Sequence, residues 1–138
     1  MRTRLDAVVR IREQAEERAL ETVAKAEAKA RDASERAHRL MQAANTDARS
    51  AGDASTWQVV EAAQVKAISD AKRAQVERDR LQAEVAKVRL VYTSAHQQAE
   101  AVRRAAEHRR DEVRREDARS EDKALDEVAS MLWFRRAG

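Results

Sequence analysis

Between Trp57 and Val113 apolar residues recur at alternating steps of three and four along the chain. The positions are Trp57, Val60, Gln64, Ala67, Ala71, Ala74, Arg78, Leu81, Val85, Val88, Tyr92, Ala95, Ala99, Val102, Ala106, Arg109 and Val113. Fourteen of these seventeen are apolar, and most residues between them are charged or polar. A narrow stripe held over eight heptads marks a helix with one seam against another helix and the rest in water. It predicts a long helix over about residues 55–135. A shorter stripe precedes it: Leu5, Val8, Val9, Ala15, Ala19, Val23, Ala26, Ala30, Ala33, Ala37, Leu40, Met41 and Ala44. This predicts a first helix over about 3–48. Its stripe drifts sideways, because a straight helix has 3.6 residues per turn against 3.5 for a heptad. Small side chains permit close approach but bury little each, so this helix depends on pairing.

Between the two stripes, Asn45, Thr46, Asp47, Ser50, Gly52, Asp53, Ser55 and Thr56 gather weak helix formers. Gly52 can end a helix in the left-handed conformation, and Ser55 with Gln58 has the spacing of a capping box. A turn at about 49–54 follows, and with it an all-α fold, a long two-helix antiparallel coiled-coil hairpin spanning residues 1–138 as a single domain. The competing reading, one uninterrupted helix, has to override a dozen weak helix formers. A turn centred near Gly52 sets Leu5 beside Gln98 to Val102. The second helix then overhangs its partner by roughly 50 Å from about Val102 onward, with its seam weakened at Arg109, Glu116 and Ser120. At the other end of the first helix, the Thr3 hydroxyl can cap while Asp6 reaches back, again at capping-box spacing. Glu21 with Lys25, Glu27 with Arg31, Glu35 with Arg39, Glu100 with Arg104 and Asp111 with Arg115 stand four apart in the favourable order.

Composition removes the globular alternative. Among 138 residues there are one Phe, one Tyr and two Trp, against 30 Ala and 38% charged residues. Large side chains carry most of the burial energy of a round core, roughly 1.5–3 kcal/mol each, and too few are present. No Pro and two Gly leave little punctuation for a turn-rich enzyme scaffold. The isoelectric point near 9.6 raises the question of nucleic acid. Arg2, Arg4, Arg10 and Arg12 against Asp6 account for the whole excess of +3, and the remainder balances 24 basic with 24 acidic residues. Even Ala99 to Lys123 sets eight Arg and Lys against eight Asp and Glu. That is a mixed solvated face rather than a phosphate-tracking stripe, so no nucleic-acid partner is expected.

Chemistry is equally sparse. Cys is absent, which rules out disulfides and thiolate metal sites. His38, His96 and His108 are scattered, the carboxylates are interleaved with Arg, and no phosphate-cradling Gly loop or nucleophile motif is present. No enzyme activity, cofactor or metal is expected. No apolar run approaches the ~20 residues of a membrane span, so direct membrane insertion is not expected. Gln64, Arg78 and Arg109 interrupt the seam. Either they fix register and oligomer state, or they mark where a partner engages. The ending differs again: Leu125, Val128, Met131, Leu132, Trp133 and Phe134 concentrate apolar surface, for another protein or for folding back on the first helix.

Three stretches resemble a known family. They are Arg4-Leu5-Asp6-Ala7-Val8-Val9-Arg10-Ile11-Arg12-Glu13, Trp57-x-x-Val60 through Ala67-Ile68, and Lys123-Ala-Leu-Asp-Glu-Val-Ala129. Together the chain is similar to the FliJ-type stalk proteins of flagellar type III export, with the related YscO-type proteins of virulence secretion. The resemblance implies a non-enzymatic stalk in the centre of an export ATPase hexamer. It also implies contact with the cytoplasmic ring of the export gate, binding of export chaperones, and a place in the cytoplasm against the inner membrane at the flagellar base. By the same resemblance Trp57, Val60, Gln64 and Ala67 fall on the gate-contacting face. Lys123, Leu125, Asp126 and Glu127, with Leu5, Val8 and Val9, fall toward the ATPase. The chain departs from the family in its slightly short length and its few aromatics around the turn. A passive coiled-coil spacer or homodimer is the alternative reading of the same pattern.

Overall fold

The computed structural model describes residues 3–45 and 54–138. Two helices, α1 (Arg4–Asn45) and α2 (Ala54–Ala137), pack against each other, and among the described residues there is no strand. The fold is therefore an all-α helical hairpin. The turn expected at about 49–54, with Gly52 in it, lies outside the described residues apart from Ala54, which already belongs to α2. The chain divides into two compact units: Ala15–Ala95, and Met1–Gln14 with His96–Gly138.

In the unit Ala15–Ala95 the helices run antiparallel, with Glu27 of α1 meeting Arg89 of α2 and Met41 meeting Gln75. Val23, Ala37 and Ala44 of α1 are buried against Ala71, Ala74 and Val85 of α2. Alanine dominates because side chains this short let two helix axes approach to about 8 Å. Nearly three turns into α2, the side-chain amide of Gln64 donates to the carbonyl of Ala44. The last carbonyls of a helix have no partner within it, and Gln64 supplies one. The polar interruption at Gln64 thus serves the end of α1. Arg78, the next interruption, is part-buried and turns to its neighbour Asp79, with Nη2 to Oδ1 at 3.0 Å. Trp57, expected in the seam, is 49% exposed.

In the unit that holds the two termini, Arg12 Nη1 donates to Gln98 Oε1 at 2.7 Å. Arg103 Nε donates to Glu13 Oε1 at 3.1 Å, and Arg110 pairs with Asp6. Ala99 and Ala106 are buried beneath these links, at 0% and 2% exposure. Asp6, next to Leu5, meets Arg110, so α1 begins about two turns further along α2 than the expected position at Gln98 to Val102. The expected register followed from a turn centred near Gly52, whereas the observed pairs Glu27 with Arg89 and Glu13 with Arg103 lie about twelve residues further along α2 than that centre implies. The seam consequently stays covered through Ala106 to Val113, and the uncovered tail starts at Arg114 rather than near Val102. Arg109 is exposed and bonds Glu112 at 3.1 Å.

Charge partners also differ from the four-residue pairs expected. Glu27 pairs with Arg89 across the hairpin, Glu100 with Arg103, and Asp111 with Arg114. A glutamate that can reach the opposite helix ties two elements instead of one. At the start of α1 the backbone N–H of Thr3 donates to Asp6 Oδ2 at 2.6 Å, so the reaching-back half of the capping box forms. The hydroxyl half does not: Thr3 Oγ1 finds no partner among the described residues. Val8 and Ala15 face solvent, while Leu5, Val9 and Ala19 remain part-buried in the stripe.

Candidate partner-binding surfaces

Three surfaces are left open once the seam closes. The first is the tail of α2, where every residue from Arg114 to the end is exposed. Leu125, Val128, Met131, Leu132, Trp133 and Phe134 lie among them, 51–71% exposed. The Trp133 and Phe134 rings meet edge to face, 5.5 Å between centroids and 81° between planes, the arrangement their quadrupoles favour. The apolar ending does not fold back onto α1. Stepping by threes and fours through the tail gives Ala118, Glu121, Leu125, Val128 and Leu132. That stripe is about a third of a turn round from Val113, at 100° per residue, and so it is not a continuation of the seam.

The second surface is a groove of about 1100 Å³ along one side of the unit Ala15–Ala95. Its floor is heptad-spaced on both helices: Ala26, Ala33 and Leu40 on α1, Ala74, Leu81 and Val88 on α2. All but Ala74 are only part-buried. Lys25, Lys29, Asp32 and Arg36 form one wall, and Lys66, Asp70, Arg73, Glu77, Arg80 and Glu84 the other. The Glu77 carboxyl is held below the usual carboxylate range by its hydrogen bonds from Arg80, with Arg36 across the groove adding to the effect. The other side of the same helix pair is laced shut. There Arg89 bonds Glu27 at 2.6 and 3.1 Å, and the Gln75 amide reaches the Met41 sulfur at 2.8 Å.

The third surface lies on the first turns of α2. Trp57, Gln58, Glu61, Ala62 and Val65 line a shallow hollow of about 410 Å³, and Val59 and Ile68 are exposed nearby. Of the residues that the family resemblance assigns to a gate contact, Trp57 is the exposed one. Val60, Gln64 and Ala67 are part-buried in the seam. Of the residues assigned to an ATPase contact, Leu5 and Val9 are part-buried where α1 begins, Val8 is 39% exposed beside them, and Lys123, Leu125, Asp126 and Glu127 are on the exposed tail. Thr3 and, on α1, Asp6 and Val9 line a cleft of about 820 Å³ with Arg110, Val113 and Asp117 of α2, and Lys123 is nearly two turns beyond Asp117. Periodicity alone concealed the groove, because its floor residues belong to the same stripes as the buried seam.

Electrostatics at the start of α1 are set locally. The Asp6 carboxyl is held below its ordinary range first by the Thr3 backbone N–H and then by the Arg110 guanidinium. Among the described residues no group of three or more His, Cys, Asp or Glu side chains could hold a metal ion. His108 instead faces Glu112 at 3.5 Å on the exposed side of α2. No helix among the described residues is long and apolar enough to cross a membrane.

A helical hairpin whose open surfaces are apolar stripes and a charge-walled groove presents contact surface along its length. The chain matches the family described as flagellar FliJ protein over residues 1–138, and it belongs to that family. Membership makes it a component of the flagellar export apparatus, in a family of structural export proteins. No curated protein and no solved structure matches the chain.

Proposed function

We propose that this chain is a non-enzymatic central-stalk component that couples the export ATPase hexamer to the export gate and escorts export chaperones. The observation that carries the reading is a seam closed within the chain up to Val113, followed by an exposed tail with concentrated apolar side chains. A passive spacer has no need of such a tail, since burying or deleting it would cost the hairpin nothing. The ATPase contact comprises Leu5, Val8 and Val9 where α1 begins, with Lys123, Leu125, Asp126 and Glu127 on the tail. The gate contact centres on Trp57, with the exposed edges of Val60, Gln64 and Ala67. Charge summed over each helix is nearly balanced, which suits a shaft turning among subunits. The working place is the cytoplasmic side of the inner membrane at the flagellar base.

The test adds the purified chain to the export ATPase and measures hexamer formation and ATP turnover. Stimulation of both, lost on Leu125→Asp with Glu127→Lys, supports the coupling role. Absence of binding at low salt overturns it.

A further inference from the structure

We infer that the groove of the unit Ala15–Ala95 is a docking site for the α2 tail of a second copy of this chain. The groove is the open side of an otherwise laced helix pair, and its floor is what a third helix requires. Ala26, Ala33 and Leu40 repeat every seven residues on α1, and Ala74, Leu81 and Val88 do so on α2. Heptad-spaced side chains left half open between two helices form holes for the knobs of another helix. From Thr22 to Leu40 the groove runs roughly 27 Å, at about 1.5 Å per residue, and takes a helix of about 18 residues.

The tail supplies that helix. Ala118, Leu125 and Leu132 stand seven apart, with Val128 between the last two, so the tail has the same repeat as the floor. Val128 and Leu132 are 51% and 57% exposed, with nothing of their own chain over them.

Charge selects a copy of this tail over a generic apolar helix. The walls carry six basic and four acidic residues, and the α1 wall alone sets Lys25, Lys29 and Arg36 against Asp32. From Glu116 to Glu127 the tail has six acidic residues against Arg119 and Lys123. Asp122 and Asp126 flank its stripe on one side and Asp117 on the other, at 100° per residue. An acidic-flanked stripe lying along the basic α1 wall, opposite an α2 wall that balances three basic with three acidic residues, is drawn in by its charges and held by its apolar side chains. The inference is independent of the export-ATPase reading, since it concerns two copies of this chain alone.

Sedimentation of the whole chain over a range of concentrations tests it, with two charge-reversed chains. One carries Lys25→Glu and Lys29→Glu on the exposed groove wall, the other Asp122→Lys and Asp126→Lys on the exposed tail. Both keep the seam intact, and circular dichroism checks their folding. The wild-type chain should self-associate as concentration rises, and each reversed chain alone should associate about tenfold more weakly. Mixing the two should restore association between them. A wild-type chain that stays monomeric at its highest soluble concentration overturns the inference. So does association that neither reversal weakens, or that mixing does not restore.

Discussion

Ala99 is fully covered where α2 meets α1, at 0% exposure, and replacing it with leucine separates two accounts of what the alanine seam does. If the helices could part freely to admit a larger side chain, the added carbons would be buried and would stabilise the hairpin. A leucine taken from water is worth about 1.5–3 kcal/mol. Leucine and alanine differ little in helix propensity, so backbone preference does not decide the sign. The flanking contacts do. Arg12 holds Gln98 at 2.7 Å and Arg103 holds Glu13 at 3.1 Å, on either side of Ala99. An alanine layer sets the axes about 8 Å apart, whereas a leucine layer asks for nearer 10 Å. Opening by that much lengthens both bonds beyond hydrogen-bonding distance and strands the neighbouring alanines across a gap. Overpacking of this kind costs about 1–3 kcal/mol.

Urea denaturation followed by far-ultraviolet circular dichroism measures the difference. With a denaturant slope of about 1–3 kcal/mol per molar, the midpoint of Ala99→Leu should fall by about 1 M. Ala124→Leu, on the exposed tail and off its apolar stripe, is the control and should stay within about 0.5 kcal/mol of the parent. A midpoint for Ala99→Leu equal to or above that of the parent would refute the close-packed seam, because it would mean that the helices yield without cost.

Paired Leu81→Asp and Val85→Asp place two carboxylates on the contact face of α2 and should melt much of the helix at physiological temperature; helicity retained by circular dichroism would contradict the seam. Gln64→Ala leaves the Ala44 carbonyl without its donor and should lower the urea midpoint by the equivalent of about 0.5–1.5 kcal/mol. Because the folded-state pKa of Asp6 is lowered, the native chain binds fewer protons there than the unfolded one. Its contribution is therefore present above the ordinary carboxylate pKa and is lost as pH falls through the lowered one. Arg110→Ala should raise the Asp6 midpoint in a carboxyl-carbon NMR titration only part of the way to the ordinary value, since the Thr3 backbone N–H is the larger cause; a complete return would reverse that order. At concentrations where the chain is monomeric, deleting residues 119–138 should leave the urea midpoint unchanged, because the removed segment is exposed throughout, and a fall there would mean that the tail packs on its own hairpin.

How much of this was legible in the sequence depends on which contacts are periodic. Burial along α2 follows the three-and-four stripe from Val60 to Val113, and only Trp57 and Arg109 leave it. The stripe could place these residues on one face because helical geometry fixes the face. It could not fix the register of α1 against α2, since sliding one alanine-rich seam by a heptad replaces alanine with alanine. The distinguishing contacts are polar and distant in sequence, as in Asp6 with Arg110, Glu13 with Arg103 and Glu27 with Arg89. Each of those acids also has local basic neighbours, and the sequence gives no means of choosing among them. The position of the tail's first free residue followed from the register and moved with it. The groove was hidden for a different reason: a residue half open beside the seam and one closed within it occupy the same heptad positions.

The distribution of large side chains bears on what the hairpin is for. Among the described residues the buried positions are six alanines and two valines, while Ile11, Leu20, Val65, Val76, Leu90 and the whole Leu-Trp-Phe ending face solvent. A hairpin shaped only for its own stability would reverse that arrangement, since burying each of those side chains is worth about 1.5–3 kcal/mol and an alanine far less. The alanine seam keeps the helix pair narrow, and the exposed valines, leucines and aromatics keep binding energy available on the outside. Both properties suit the stalk role proposed above, narrowness for entering a ring of subunits and external apolar surface for holding partners. Partners that cover the tail or the groove should therefore raise the chain's unfolding temperature, by a margin that grows with the logarithm of their concentration over their Kd.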